Sequence, residues 1–83
     1  MKRIVTSDCK VGMKILYKDS FDNIIIGEIE RLSSINKCPV LRITKTIQHN
    51  GFYKLTKGYT LTLTNLDRPR YELTDDEYYA RVL

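Results

Sequence analysis

The side chains able to act as nucleophiles, bases or metal ligands are few and scattered. The single histidine, His49, stands beside Asn50-Gly51, and the two thiols, Cys9 and Cys38, are distant in sequence from it and from each other. A thiol nucleophile needs a base within hydrogen-bond reach and a third group to orient that base. Asp67 is available for the orienting role, but nothing in the spacing favours the assembly, so His49 reads as a solvent-exposed turn histidine. Nor do Cys9, Cys38 and His49 fall at the short ligand spacings of structural zinc sites. Asp75, Asp76 and Glu77 could be a carboxylate cluster, yet Thr74-Asp75-Asp76-Glu77 also matches a capping box at a helix start, which explains the acids without catalysis. The four glycines, Gly12, Gly27, Gly51 and Gly58, are isolated and form no phosphate loop. The expectation is a protein that is not an enzyme and uses no metal or cofactor.

Charge gives a stronger signal. The net charge of +4 hides an uneven distribution. Bases and acids cancel from Met1 to Glu30, and acids outnumber bases from Asp67 to Leu83. From Arg31 to Leu66 the chain carries Arg31, Lys37, Arg42, Lys45, Lys54 and Lys57 and no carboxylate. Cations on a sheet can neutralise phosphates, and Phe52, Tyr53 and Tyr59 could stack on unpaired bases. The candidate binding residues are Arg42, Lys45, Gln48, Phe52, Tyr53, Lys54 and Lys57. Their partner would be nucleic acid or an acidic protein surface; a merely solvated basic face is the bland alternative. The protein-interaction or inhibitor reading also draws on the Thr-rich segment Tyr59 to Thr64, which could accept an added strand. Abundant Ile, Lys, Tyr and Asn with a single Ala is a composition met in AT-rich bacterial or phage genomes, where small accessory proteins are frequent.

A chain of 83 residues has room for one domain, residues 1–83, with a small core. Its longest apolar run, Ile24-Ile25-Ile26, is far short of the ~20 residues that span a bilayer. The first residues reach polar side chains too soon for a secretory signal. A cytoplasmic protein with reduced thiols is the expectation, its oligomeric state open.

Strands must position these residues. Lys2 to Thr6 could form a short one, followed by a turn over Ser7 to Gly12. Met13, Ile15 and Tyr17 alternate with Lys14, Leu16 and Lys18, so Gly12 to Lys18 reads as a strand with one apolar face. After a turn at Asp19 to Asn23, Ile24 to Leu32 is a second strand with Ile25, Gly27 and Ile29 on one face, and the two make a hairpin. Gly27 weakens such a strand unless the sheet bends or another backbone comes close.

The next hairpin runs from Val40 to Thr64 around Asn50-Gly51, a turn signal for a two-residue loop. That loop would pair apolar with polar residues throughout. A slip of one residue pairs Ile47 with Leu55, Ile43 with Tyr59 and Leu41 with Leu61, so the hydrophobic pattern predicts the longer loop. Arg42, Thr44, Thr46 and Gln48 then share the outer face with Lys54, Thr56, Thr60, Thr62 and Thr64, an acid-free surface. Lys45 opposite Lys57 on the inner face is unfavourable; a bulge at Thr56-Lys57-Gly58, or an early end to the inner face, would relieve it. Asn65 to Arg70 is a turn and Tyr71 to Leu73 is extended. Residues 79–83 are either the apolar stripe of a helix, with Tyr78 and Val82 four apart, or a last strand pairing with Lys2 to Thr6.

Four or five short strands in this length argue for an all-β, mainly antiparallel fold: a small barrel or strongly bent sheet with a short C-terminal helix or helical turn. Val11-Gly12-Met13-Lys14-Ile15-Leu16-Tyr17 followed by Ile26-Gly27-Glu28-Ile29 resembles the opening hairpin of SH3-like barrels of the Tudor and KOW kind. The resemblance implies a fold and, secondarily, a binding module. The chain lacks the aromatic cluster with which Tudor domains hold a methylated side chain, so that ligand is not implied.

Overall fold

A computed structural model describes residues 4–34, 36–50, 56–64, 66–67 and 78–83. Five strands, β1 (Lys14–Lys18), β2 (Ile24–Leu32), β3 (Pro39–Gln48), β4 (Thr60–Thr62) and β5 (Tyr79–Val82), make one antiparallel sheet in the order β4-β3-β2-β1-β5. The first four form a meander, and the last returns to pair with the first. Inward-facing residues of both outermost strands, Leu61 on β4 and Ala80 on β5, meet the same apolar cluster, so the sheet wraps round its core. The extents of 30 × 28 × 24 Å are those of such a curled sheet.

The two apolar faces predicted for the first hairpin are found in place. Ile15 and Tyr17 are buried on β1, and Ile25, Gly27 and Ile29 on β2, while Lys14, Leu16 and Lys18 and Ile24, Ile26 and Glu28 point the other way. The register runs from Lys14 opposite Glu28 to Lys18 opposite Ile24. Asp19 closes the turn: its Oδ1 accepts from the backbone amides of Phe21 (2.9 Å) and Asn23 (3.0 Å), and its Oδ2 from Asn23 Nδ2 (2.9 Å). A carboxylate that satisfies amides two and four residues ahead imposes the turn on the backbone.

Gly27 answers the requirement for close approach. A Cβ there would lie 2.6 Å from Leu41 Cγ and 2.8 Å from the Arg42 carbonyl oxygen, because β3 presses onto β2 at this point.

The N-terminal and C-terminal segments depart from the pattern expectations. Thr6 opens a 3-10 turn, Thr6–Asp8, instead of ending a strand. Val5 N donates to Asp8 Oδ2 (3.0 Å) and Asp8 N to the Val5 carbonyl (3.0 Å), a local bonding pattern that competes with a ladder. Tyr79–Val82 is a strand, resolving the choice against a helical stripe: Tyr78 and Ala80 are buried and Tyr79 and Arg81 are turned outward, a period of two. Its ladder partner is β1, with Ile15 opposite Val82 and Lys18 opposite Tyr79. Among the described residues of the segment expected to be its partner, Ile4 N donates to the Ala80 carbonyl (2.9 Å). Tyr17 and Tyr78 pack edge to face, centroids 5.6 Å apart, and fix the entry to β5. The predicted helix start at Thr74 to Glu77 and the extended Tyr71 to Leu73 lie outside the described residues.

Candidate binding face

β3 carries the predicted site, and its irregularities decide where each side chain goes. Leu41 pairs with Leu61 and Arg42 with Thr60, as the shifted register requires. Against β2, however, Gly27 faces Ile43 and Ile26 faces Lys45, so Thr44 is an extra residue; Ile25 faces Thr46 and Ile24 faces Gln48, so Ile47 is another. Each extra residue reverses the alternation. Thr44 Oγ1 donates to the Ile26 carbonyl (3.2 Å), supplying a donor where the ladder is interrupted.

Three inner-face assignments are therefore corrected. Lys45 is exposed on the outer face, and Thr46, expected outside, is half-buried toward the core side. Ile47 is 51% exposed, because a bulged residue belongs to neither face. Tyr59 is 41% exposed. It precedes β4 at a second irregularity, where Gly58 N donates to the Ile43 carbonyl and Ile43 N to the Tyr59 carbonyl, both at 2.8 Å, so two residues oppose one. Gly58 has φ +91° and is the third residue of a turn in which Tyr59 N donates to the Thr56 carbonyl (3.0 Å), and Lys57 is exposed at that turn. The bulge expected at Thr56-Lys57-Gly58 is there, and the inner face of β3 ends its aliphatic run at Ile43. The Ile47 to Leu55 pairing, and the candidates Phe52, Tyr53 and Lys54, fall outside the described residues.

The bulges also give Arg42, Lys45 and Gln48 new neighbours. Paired residues of an antiparallel sheet share a face, so the registers define three cross-strand rows on the outer side. The first is Thr60, Arg42, Glu28, Lys14; the second Lys45, Ile26, Leu16, Arg81; the third Gln48, Ile24, Lys18, Tyr79. The expected acid-free surface is thus interrupted by Glu28, which comes from β2. Lys18 Nζ lies 3.1 Å from Asp22 Oδ1, whereas Lys14, Arg42 and Lys45 have no ion pair among the described residues. The Arg81 guanidinium lies 4.1 Å from the centre of the Tyr79 ring, a cation–π contact along one face of β5. Its Nε is buried with no hydrogen-bond partner among the described residues.

Sequence reasoning missed Lys14, Lys18, Tyr79 and Arg81 as members of this face. The alternation of Lys14, Leu16 and Lys18 was a visible signal; what was not visible is that β5 would extend the same surface on the far side of β1.

The other chemistry-bearing groups lie off the three cross-strand rows. His49 is exposed just beyond β3, while Cys9 and Cys38 are both buried and free. Burial, Asp8, Asp67 and Cys38, in that order, push the Cys9 thiol up to about 11, away from nucleophilic character. Asp67 Oδ1 accepts from Thr6 N (2.9 Å), tying the 3-10 turn to the far end of the chain. Among the described residues no group of three His, Cys, Asp or Glu side chains gathers as a metal site would require, and no helix is long and apolar enough to cross a membrane.

Compared with known proteins, the chain matches no family model, no curated protein and no solved structure.

Proposed function

We propose that the chain is a non-enzymatic binding module, an SH3-like barrel acting in the cytoplasm, whose outer sheet face engages an anionic macromolecule: nucleic acid or an acidic protein surface. One observation carries this reading. Lys14, Lys18, Arg42, Lys45 and Arg81, contributed by three different strands, are drawn onto a single face whose rows hold one acid, Glu28. Cations gathered on one surface raise the local concentration of an anionic partner and speed its encounter. A four-stranded meander followed by a fifth strand, β5, that returns to pair with β1 supports the SH3-like reading. The buried thiols fit a reducing compartment.

The test measures binding of the whole chain to fluorescent oligothymidylate and to polyglutamate across a salt series. At least one should bind at low salt and weaken steeply as salt rises. For the oligonucleotide, Arg42→Ala and Lys45→Ala should each reduce the slope by about one unit for every phosphate no longer neutralised. Failure of both polyanions to bind at the lowest salt would overturn the proposal.

A further inference from the structure

The second outer row has an arrangement that says more about the partner. Lys45 on β3 and Arg81 on β5 stand at its ends, and Ile26 and Leu16 lie between them on β2 and β1. Three inter-strand steps of ~4.8 Å put the two cation-bearing backbones about 14 Å apart. Ile26 and Leu16 are half-buried by their neighbours, and Ile24 in the next row extends the aliphatic surface. The row is an apolar centre with a cation at each end.

We propose that this row seats an acidic segment of a partner protein, with carboxylates on both sides of at least one apolar side chain, lying across the strands; the proposal rests on the binding-module reading above. Charge complementarity selects the flanking carboxylates, and the aliphatic pair selects what lies between them. A desolvated apolar centre with a charged rim is the anatomy of a protein-protein contact. The same features disfavour a nucleic-acid strand. Ile26, Leu16 and Ile24 offer no ring on which a base can stack, and one face of the Tyr79 ring is already covered by Arg81. Glu28, between Arg42 and Lys14 in the adjoining row, repels a backbone that carries a charge at every nucleotide, whereas a peptide can place a neutral residue there.

The experiment selects a displayed library of random twelve-residue peptides on the immobilised whole chain, then measures a synthetic peptide of the enriched sequence against variants, with oligothymidylate in parallel. Enriched sequences should carry Asp or Glu on both sides of Leu, Ile, Val or Phe. Lys45→Glu and Arg81→Glu should each weaken the peptide about tenfold, which corresponds to about 1.4 kcal/mol. Leu16→Thr, on the outer face of β1, should weaken it several-fold while leaving the circular dichroism spectrum unchanged. Because Arg81 packs on Tyr79, Lys45→Glu at an exposed position serves as the test should Arg81→Glu fail to fold. No enrichment, enrichment without acids, or a peptide indifferent to Lys45→Glu and Leu16→Thr would overturn the proposal. Oligothymidylate binding alongside such a result leaves the module reading standing; failure of oligothymidylate and polyglutamate alike removes that reading too.

Discussion

Asn23 Oδ1 accepts the backbone amide of Asn50 at 2.6 Å across 27 residues of sequence, joining the β1–β2 turn to the end of β3. The bond completes a connected set. Asn23 Nδ2 is held by the Asp19 carboxylate, both residues are buried, and Asn50 Nδ2 donates to the Phe21 carbonyl (2.9 Å). Asn23→Ala removes one hydrogen bond from the buried Asp19 carboxylate and the acceptor of the Asn50 backbone amide, and should cost about 2–3 kcal/mol in urea unfolding. Asn50→Ala keeps its backbone amide bonded and should cost less than about 1 kcal/mol. Equal losses for the two variants would contradict the geometry.

Gly27→Ala should destabilise by about 1–3 kcal/mol, since the new methyl meets Leu41 and the Arg42 carbonyl closer than van der Waals separation and the backbone cannot yield as a flexible side chain would. Thermal unfolding checks it. A neutral or stabilising outcome would mean that β3 does not press onto β2 at this point.

Much of the fold was legible because a period of two is unambiguous where one face is continuously apolar. Ile15 and Tyr17, and Ile25 and Ile29, announce their faces without help from tertiary context. The Leu41 to Leu61 pairing followed from the same logic. Legibility ended at β3, because two extra residues against β2 are selected by the partner strand and the curvature of the sheet, not by the composition of β3 itself. Thr44 and Ile47 look like ordinary strand residues in sequence. The candidate face was partly legible for the same reason: simple alternation puts Arg42 and Gln48 outward, where they lie, but puts Lys45 inward, where the extra Thr44 turns it out, and Arg81 belongs to a strand whose neighbour is fixed only by long-range topology.

The bulges make a testable contrast between two isoleucines four residues apart on β3. Ile43, 1% exposed in the core, should lose about 2–4 kcal/mol as Ile43→Ala. Ile47→Thr, at a half-exposed bulge, should change stability by less than about 0.5 kcal/mol. A large loss at Ile47 in urea unfolding would restore the regular register, in which its side chain points into the core.

Cys9 links the core to pH. Its thiol is buried, donates to the Val5 carbonyl (3.5 Å), and is raised from 9.0 to about 11, chiefly by burial and then by Asp8, Asp67 and Cys38. The folded state therefore holds this proton at pH values where the unfolded chain has released it. Since stability falls with pH wherever the native state binds more protons, the contribution is complete below about pH 9 and is lost as pH rises through about 11. Urea midpoints should decline over that window in the wild-type chain and decline less in Cys9→Ala, once each is referred to its own value at pH 8. In the native state at neutral pH, iodoacetamide should modify Cys9 far more slowly than in urea, because attack requires a thiolate that burial and neighbouring carboxylates disfavour. Equal rates in the two states would show that the thiol is open to solvent, and with it the packing of the 3-10 turn against the sheet.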